Sequence, residues 1–152
     1  MLYNLLMKLS SPLLTRLQAL TDDIITYETS RIANLKRLEE LLPLCVLDEK
    51  YRDVHALLDF KAMNLMGISL SEEALGEIQE GRYVQLLVIA PKQVTDKKST
   101  NISLGYFGKA ETVLSAQIGH LTEFVLRWRY EKSFLNLNHY KKLLELRDDK
   151  YE

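Results

Sequence analysis

The sequence predicts a mainly α fold: an antiparallel helical bundle with two long helices and one small β-hairpin at about residues 83–107. Apolar residues recur every three or four positions over about residues 11–43, and again from about residue 109 onward, which indicates two amphipathic helices. Between them lies a short apolar run rich in β-branched residues and bounded by Gly81 and Pro91, as in a buried strand. The length of 152 residues predicts one domain that covers residues 1–152.

The first long helix is predicted to begin at Ser11, whose hydroxyl can cap it, and Pro12 suits its first turn. Pro43 is predicted to end it. A helix of about 30 residues spans about 45 Å, whereas a compact domain of this length is only about 38 Å across. We therefore expect its apolar residues to be covered by another helix or a second chain. The candidate interface consists of Leu13, Leu17, Leu20, Ile24, Ile32 and Leu35.

The middle of the chain is predicted to hold two shorter helices and the hairpin. Asp48 can cap a helix that Gly67 would end, and a third helix would lie between residues 69 and 81. Residues 83–90 and 102–106 are the predicted strands. A lone two-stranded hairpin is marginal in water, so helices or a partner must cover it.

The second long helix is predicted from Lys109 and packs antiparallel against the first. Its stripe contains Val113, Leu114, Ile118, Leu121, Val125 and Trp128. Residues 136–138, Asn-Leu-Asn, are predicted to break it before a short terminal helix.

Composition narrows the possible functions. Apolar residues form 47% of the chain, but no run approaches the roughly 20 residues that cross a bilayer, so no membrane partner is expected. Cys45 is the only cysteine, which excludes an intrachain disulfide and favours a reducing, cytoplasmic (intracellular) location. Cys45 lies in an apolar segment without a cationic neighbour, so we predict a buried, unreactive thiol.

Catalytic and cofactor signatures are missing from the sequence. His55 with Asp59, and His120 with Glu123, would each share a helical face, yet two ligands do not make a metal site. An enzyme would need a closed pocket that joins distant residues such as His55, His120 and Tyr106. We therefore predict no catalytic residues, no metal and no cofactor.

The predicted function is a non-enzymatic protein-interaction module: an assembly subunit, adaptor or small regulator. It would act as a homodimer or within a complex, so its partner is another protein or a second copy. The leucine-rich first helix and the absence of catalytic motifs favour this interpretation.

The alternative is a nucleic-acid-binding regulator. Residues 82–142 carry ten Lys/Arg and four Asp/Glu, whereas residues 48–80 carry three and eight. Nucleic acid or an acidic partner would meet the predicted loop through Lys92, Lys97 and Lys98, and the helix through Arg127 and Arg129, with Lys141 and Lys142 further along.

Overall fold

The structure, a computed structural model, describes residues 11–91 and 100–151. The chain divides into two compact units, Met1–Asn34 and Leu35–Glu152, and the division falls within the first helix. The elements in order are α1 (Ser11–Cys45), α2 (Val54–Leu57), β1 (Ala62–Met66), β2 (Tyr83–Ile89), β3 (Asn101–Lys109) and α3 (Ser115–Tyr151), with short 3-10 turns at Glu49–Tyr51 and Ala110–Thr112.

The predicted fold class is wrong in its β-structure. A three-stranded antiparallel sheet in the order β1-β2-β3 replaces the single hairpin of the predicted helical bundle. β2 and β3 are the two strands of that hairpin, whereas β1 occupies residues that we predicted to be helical. β1 pairs with β2 from Ala62, opposite Ile89, to Met66, opposite Gln85. The third strand supplies the support that a two-stranded hairpin lacks.

The error at β1 arises because a five-residue segment fits two periods. Leu58, Ala62 and Leu65 are spaced as on a helix, but Met63 and Leu65 also alternate with more exposed neighbours, as on a strand. The structure follows the second pattern, and both Met63 and Leu65 are buried. The helix that precedes it is only one turn, α2, capped by the Asp53 carboxylate.

The predicted short helix between residues 69 and 81 is also wrong. This segment is a turn that returns the chain to the sheet, and Ile68 pairs with Ile78 in an isolated bridge. Gly67, Gly76 and Gly81 all have positive φ angles. Such backbone conformations interrupt a right-handed helix, and glycine adopts them without steric cost.

The two long helices extend further than predicted at their carboxyl ends. α1 runs to Cys45 and holds Pro43 in its last turn. α3 begins at Ser115, because β3 occupies the chain as far as Lys109, and continues through residues 136–138 to Tyr151. The predicted break at the two asparagines is therefore wrong.

The core lies between the sheet, the end of α1 and one face of α3. α3 contributes Leu121, Phe124, Val125 and Trp128, and the indole Nε1 of Trp128 donates a hydrogen bond to the Leu57 carbonyl (2.9 Å). These contacts fix which face of α3 is buried and leave the opposite face outward. Residues from α1 and β2 complete the core: Leu38, Leu41, Leu42, Cys45, Val84, Leu86 and Val88.

Candidate functional site

The predicted interface on α1 is largely exposed. Leu35 packs against the core. Ile24 is 64% exposed and the other four residues are also exposed: Leu13, Leu17, Leu20 and Ile32. Residues 13 to 32 belong to the first compact unit, so this apolar surface is available on that unit.

A second exposed apolar surface, which the sequence analysis missed, lies on α3. We call it the outer stripe, and it consists of Leu126, Tyr130, Leu137, Tyr140, Leu144 and Tyr151, all exposed. The first five are spaced by three, four or seven residues, with Ser133 between Tyr130 and Leu137, so they share one face. That face is opposite the one that carries Leu121, Phe124 and Trp128. α3 is thus apolar on two faces. Its own chain covers the inner face from Leu121 to Trp128, whereas both faces are exposed over residues 135–151.

The outer face changes character towards the start of α3. There it borders a groove of about 500 Å³ between the helix and the turn at residues 68–78. Leu75 and Gly76 contribute one wall, and Ser115, Gly119 and Thr122 contribute the floor. No atom lies within 4 Å of the position that a Cβ would take at Gly119. The outer face of α3 therefore carries several small residues at the groove, beside Leu126, and large apolar residues beyond it.

An ion-pair cluster borders the same groove. The Arg37 guanidinium on α1 donates Nε to Glu123 Oε2 (2.8 Å) and Nη2 to Oε1 (3.0 Å). Arg127 Nε donates to the same Glu123 oxygen at 2.7 Å. Hydrogen bonds from Arg37, and then from Arg127, lower the pKa of Glu123 to about 2, although partial burial opposes the shift. Glu123 is consequently ionised and, within the unit Leu35–Glu152, joins the last part of α1 to α3.

The turn beside the groove is strongly acidic. Residues 62–81 contain Glu72, Glu73, Glu77 and Glu80 and no Lys or Arg. All four glutamates are exposed. The turn that contributes Leu75 and Gly76 to the groove therefore carries negative charge close to apolar surface, which favours an occupant that is both apolar and basic.

Of the residues named for the nucleic-acid alternative, the two arginines are engaged within the chain. Arg127 is paired with Glu123, and Arg129 donates Nη2 to the Met63 carbonyl (3.0 Å) and to Asn64 Oδ1 (3.2 Å). Both guanidinium groups thus hold their own chain together. Lys92, Lys97 and Lys98 lie outside the described residues.

Residues 11–91 and 100–151 offer little that could act as a nucleophile or bind a metal ion. No group of three or more His, Cys, Asp or Glu there could hold a metal ion. Cys45 is buried, as predicted, and burial raises the pKa of its thiol to about 12. His55 and Tyr106 are exposed and His120 is half-buried, and none of the three lines the groove.

Within the described part of the chain, each helix is too short or too polar to serve as a membrane span. No protein-family model, curated protein or solved structure matches this chain significantly.

Proposed function

We propose that this chain is a non-enzymatic protein-interaction module whose interfaces are the exposed apolar faces of its two long helices. The outer stripe of α3 is the observation that carries the proposal. A helix on the surface of a monomer needs one apolar face, which it turns towards the core. α3 has a second one on the opposite side, so the second face serves a contact outside the folded chain.

The size of the outer stripe supports an interface. Its three tyrosines and three leucines expose on the order of 600 Å² together, given about 200 Å² for a large side chain. Monomeric proteins rarely expose contiguous apolar patches above a few hundred Å², and a standard interface buries about 800 Å² per partner. The stripe thus supplies most of one side of such an interface.

The test is a pair of substitutions that makes the stripe polar. Leu137 and Leu144 are 63% and 61% exposed, so Leu137→Gln with Leu144→Gln removes apolar surface without opening the core. The matched control is Leu146→Gln, since Leu146 is also exposed but lies off the stripe. The tagged chains are expressed in the source cells and isolated, and the mass of each isolated assembly is measured by light scattering.

We expect the wild-type chain and Leu146→Gln to be isolated in an assembly heavier than the 17.6 kDa monomer. The double variant should be released from that assembly with an unchanged melting temperature. A wild-type chain that is monomeric and without a bound protein would contradict the proposal, as would a double variant that keeps the assembly intact.

A further inference from the structure

The outer face of α3 has two unlike halves. The half towards the helix start carries the small residues Ser115, Gly119 and Thr122 in the groove, which Ile118, Glu123 and Leu126 also line. The other half carries large exposed side chains, Leu137, Tyr140 and Leu144. A surface of small residues beside a surface of large ones can be self-complementary if two copies pack antiparallel about a two-fold axis.

We propose that the chain forms an antiparallel homodimer through the outer face of α3, in which the carboxyl-terminal half of each helix fills the groove of the other copy. This inference rests on the proposed function, because it names the partner as a second copy.

The register follows from side-chain size. If Leu126 lies opposite Leu137 of the second copy, Gly119 lies opposite Leu144 of that copy. In an antiparallel pair, a step of seven residues back along one helix matches a step of seven residues forward along the other. The same alignment places Thr122 near Tyr140, and Tyr130 opposite Ser133. From Leu126 to Leu144, every large residue of the outer stripe then faces a smaller one, apart from the leucine pair, as in closely packed helix interfaces.

Charge favours the antiparallel direction. Residues 132–151 carry five Lys/Arg and three Asp/Glu, a net charge of +2, whereas residues 115–131 carry two of each. In a parallel pair the basic halves would face each other. In the antiparallel pair Arg147 and Lys150 approach the other copy's groove, and the turn that contributes Leu75 and Gly76 to that groove also carries the exposed Glu72, Glu73 and Glu77.

The contact is long enough for a stable dimer. From Ser115 to Asp148 the helix spans about 50 Å at 1.5 Å per residue. Under two-fold symmetry, the apolar half of each copy packs into the groove of the other copy. The groove and the outer stripe of both copies are therefore buried. The buried surface then reaches the standard size of about 800 Å² per copy.

Disulfide trapping tests the geometry. Gly119→Cys and Leu144→Cys are made as separate variants, each in the full chain, where Cys45 is buried and cannot react. In the antiparallel dimer only an equimolar mixture of the two variants should form a cross-linked species of twice the 17.6 kDa chain mass. In a parallel dimer Leu144→Cys alone should cross-link to itself, which would overturn the inference.

A groove-filling substitution tests the occupant. Gly119→Leu places a side chain where Leu144 of the second copy would sit, and the open space around Gly119 spares the monomer from a clash. We expect the dimer dissociation constant to rise about tenfold or more, while the melting temperature of the monomer at low concentration does not fall. Gly119→Ala is the conservative control and should keep most of the dimer.

The outcomes separate this inference from the proposed function. A chain that is monomeric up to high concentration, yet holds a different protein that Leu137→Gln with Leu144→Gln releases, overturns the homodimer and keeps the interaction module. A wild-type chain that binds neither itself nor another protein overturns both. Cross-linking confined to the mixed variants supports both.

Discussion

Gly67 shows how strongly one residue can be constrained in this fold. Its φ is +87°, and a Cβ built there would lie 2.6 Å from the Tyr83 carbonyl oxygen at the start of β2. Gly81 has a similar φ of +78°, but no atom lies within 4 Å of its Cβ position. The two glycines therefore share a backbone requirement and differ in the space around them.

We predict that Gly67→Ala lowers the free energy of unfolding by about 3 kcal/mol or more, since it adds a backbone clash to the left-handed strain. Gly81→Ala should lose only about 1 kcal/mol, from the strain alone. Urea unfolding of both variants measures the difference. Equal losses would show that β2 shifts away from residue 67 without penalty.

Among the elements, α3 shows which features the sequence pattern predicts correctly and which it does not. Leu121, Val125 and Trp128 follow the helical period, and all three are buried as predicted. The outer stripe was missed because Asn136 and Asn138, which are weak helix formers, indicated a break. A helix that ends at these asparagines would leave Leu137 and Leu144 outside any stripe with Leu126.

The sheet illustrates a second limit. β3 is irregular opposite Leu86 and Leu87, and the Leu104 carbonyl accepts hydrogen bonds from the amides of Leu47 (2.9 Å) and Asp48 (3.2 Å) beyond α1. Such long-range bonds leave no mark in the local pattern. The alternation of apolar residues predicted strand β3, but it could not show that Leu104 would be buried and Tyr106 exposed.

The ion pairs of Glu123 predict how the stability of the fold depends on pH. The pKa of Glu123 in the folded chain is about 2, below its ordinary value of 4.5. The stabilisation is therefore present above about pH 5 and is lost as the pH falls towards 2. Because the paired side chains are about one-third exposed, we expect it to be on the order of 1–2 kcal/mol.

Urea unfolding at several pH values tests this stabilisation. Glu123→Gln should be less stable than the wild-type chain at pH 7, and the difference should shrink as the solution is acidified towards pH 3. Glu145→Gln, an exposed change on the same helix, is the control and should follow the wild type throughout. A Glu123→Gln deficit that stayed constant from pH 7 to pH 3 would mean that packing, and not charge, sets it.

For the molecule as a whole, two separate helical surfaces remain apolar and exposed after folding. The outer stripe belongs to the unit Leu35–Glu152, and the α1 stripe with Leu17 and Ile24 belongs to the unit Met1–Asn34. A chain with two such surfaces can join more than one contact in an assembly. Under the proposed function, each surface would serve a separate contact, which the overall net charge of −1 does not indicate.

The α1 surface yields the last prediction. Ile24→Asp adds a charge to the middle of the α1 stripe, and because Ile24 is 64% exposed the fold itself loses little. We expect an unchanged melting temperature and, for the assembly isolated from the source cells, a smaller mass by light scattering than the wild-type assembly shows, since a buried unpaired carboxylate opposes association. Ala33→Asp, which adds the same charge at an exposed position off the stripe, should keep the wild-type mass. An Ile24→Asp chain with wild-type mass and melting curve would remove α1 from the interface and leave α3 alone to hold the partner.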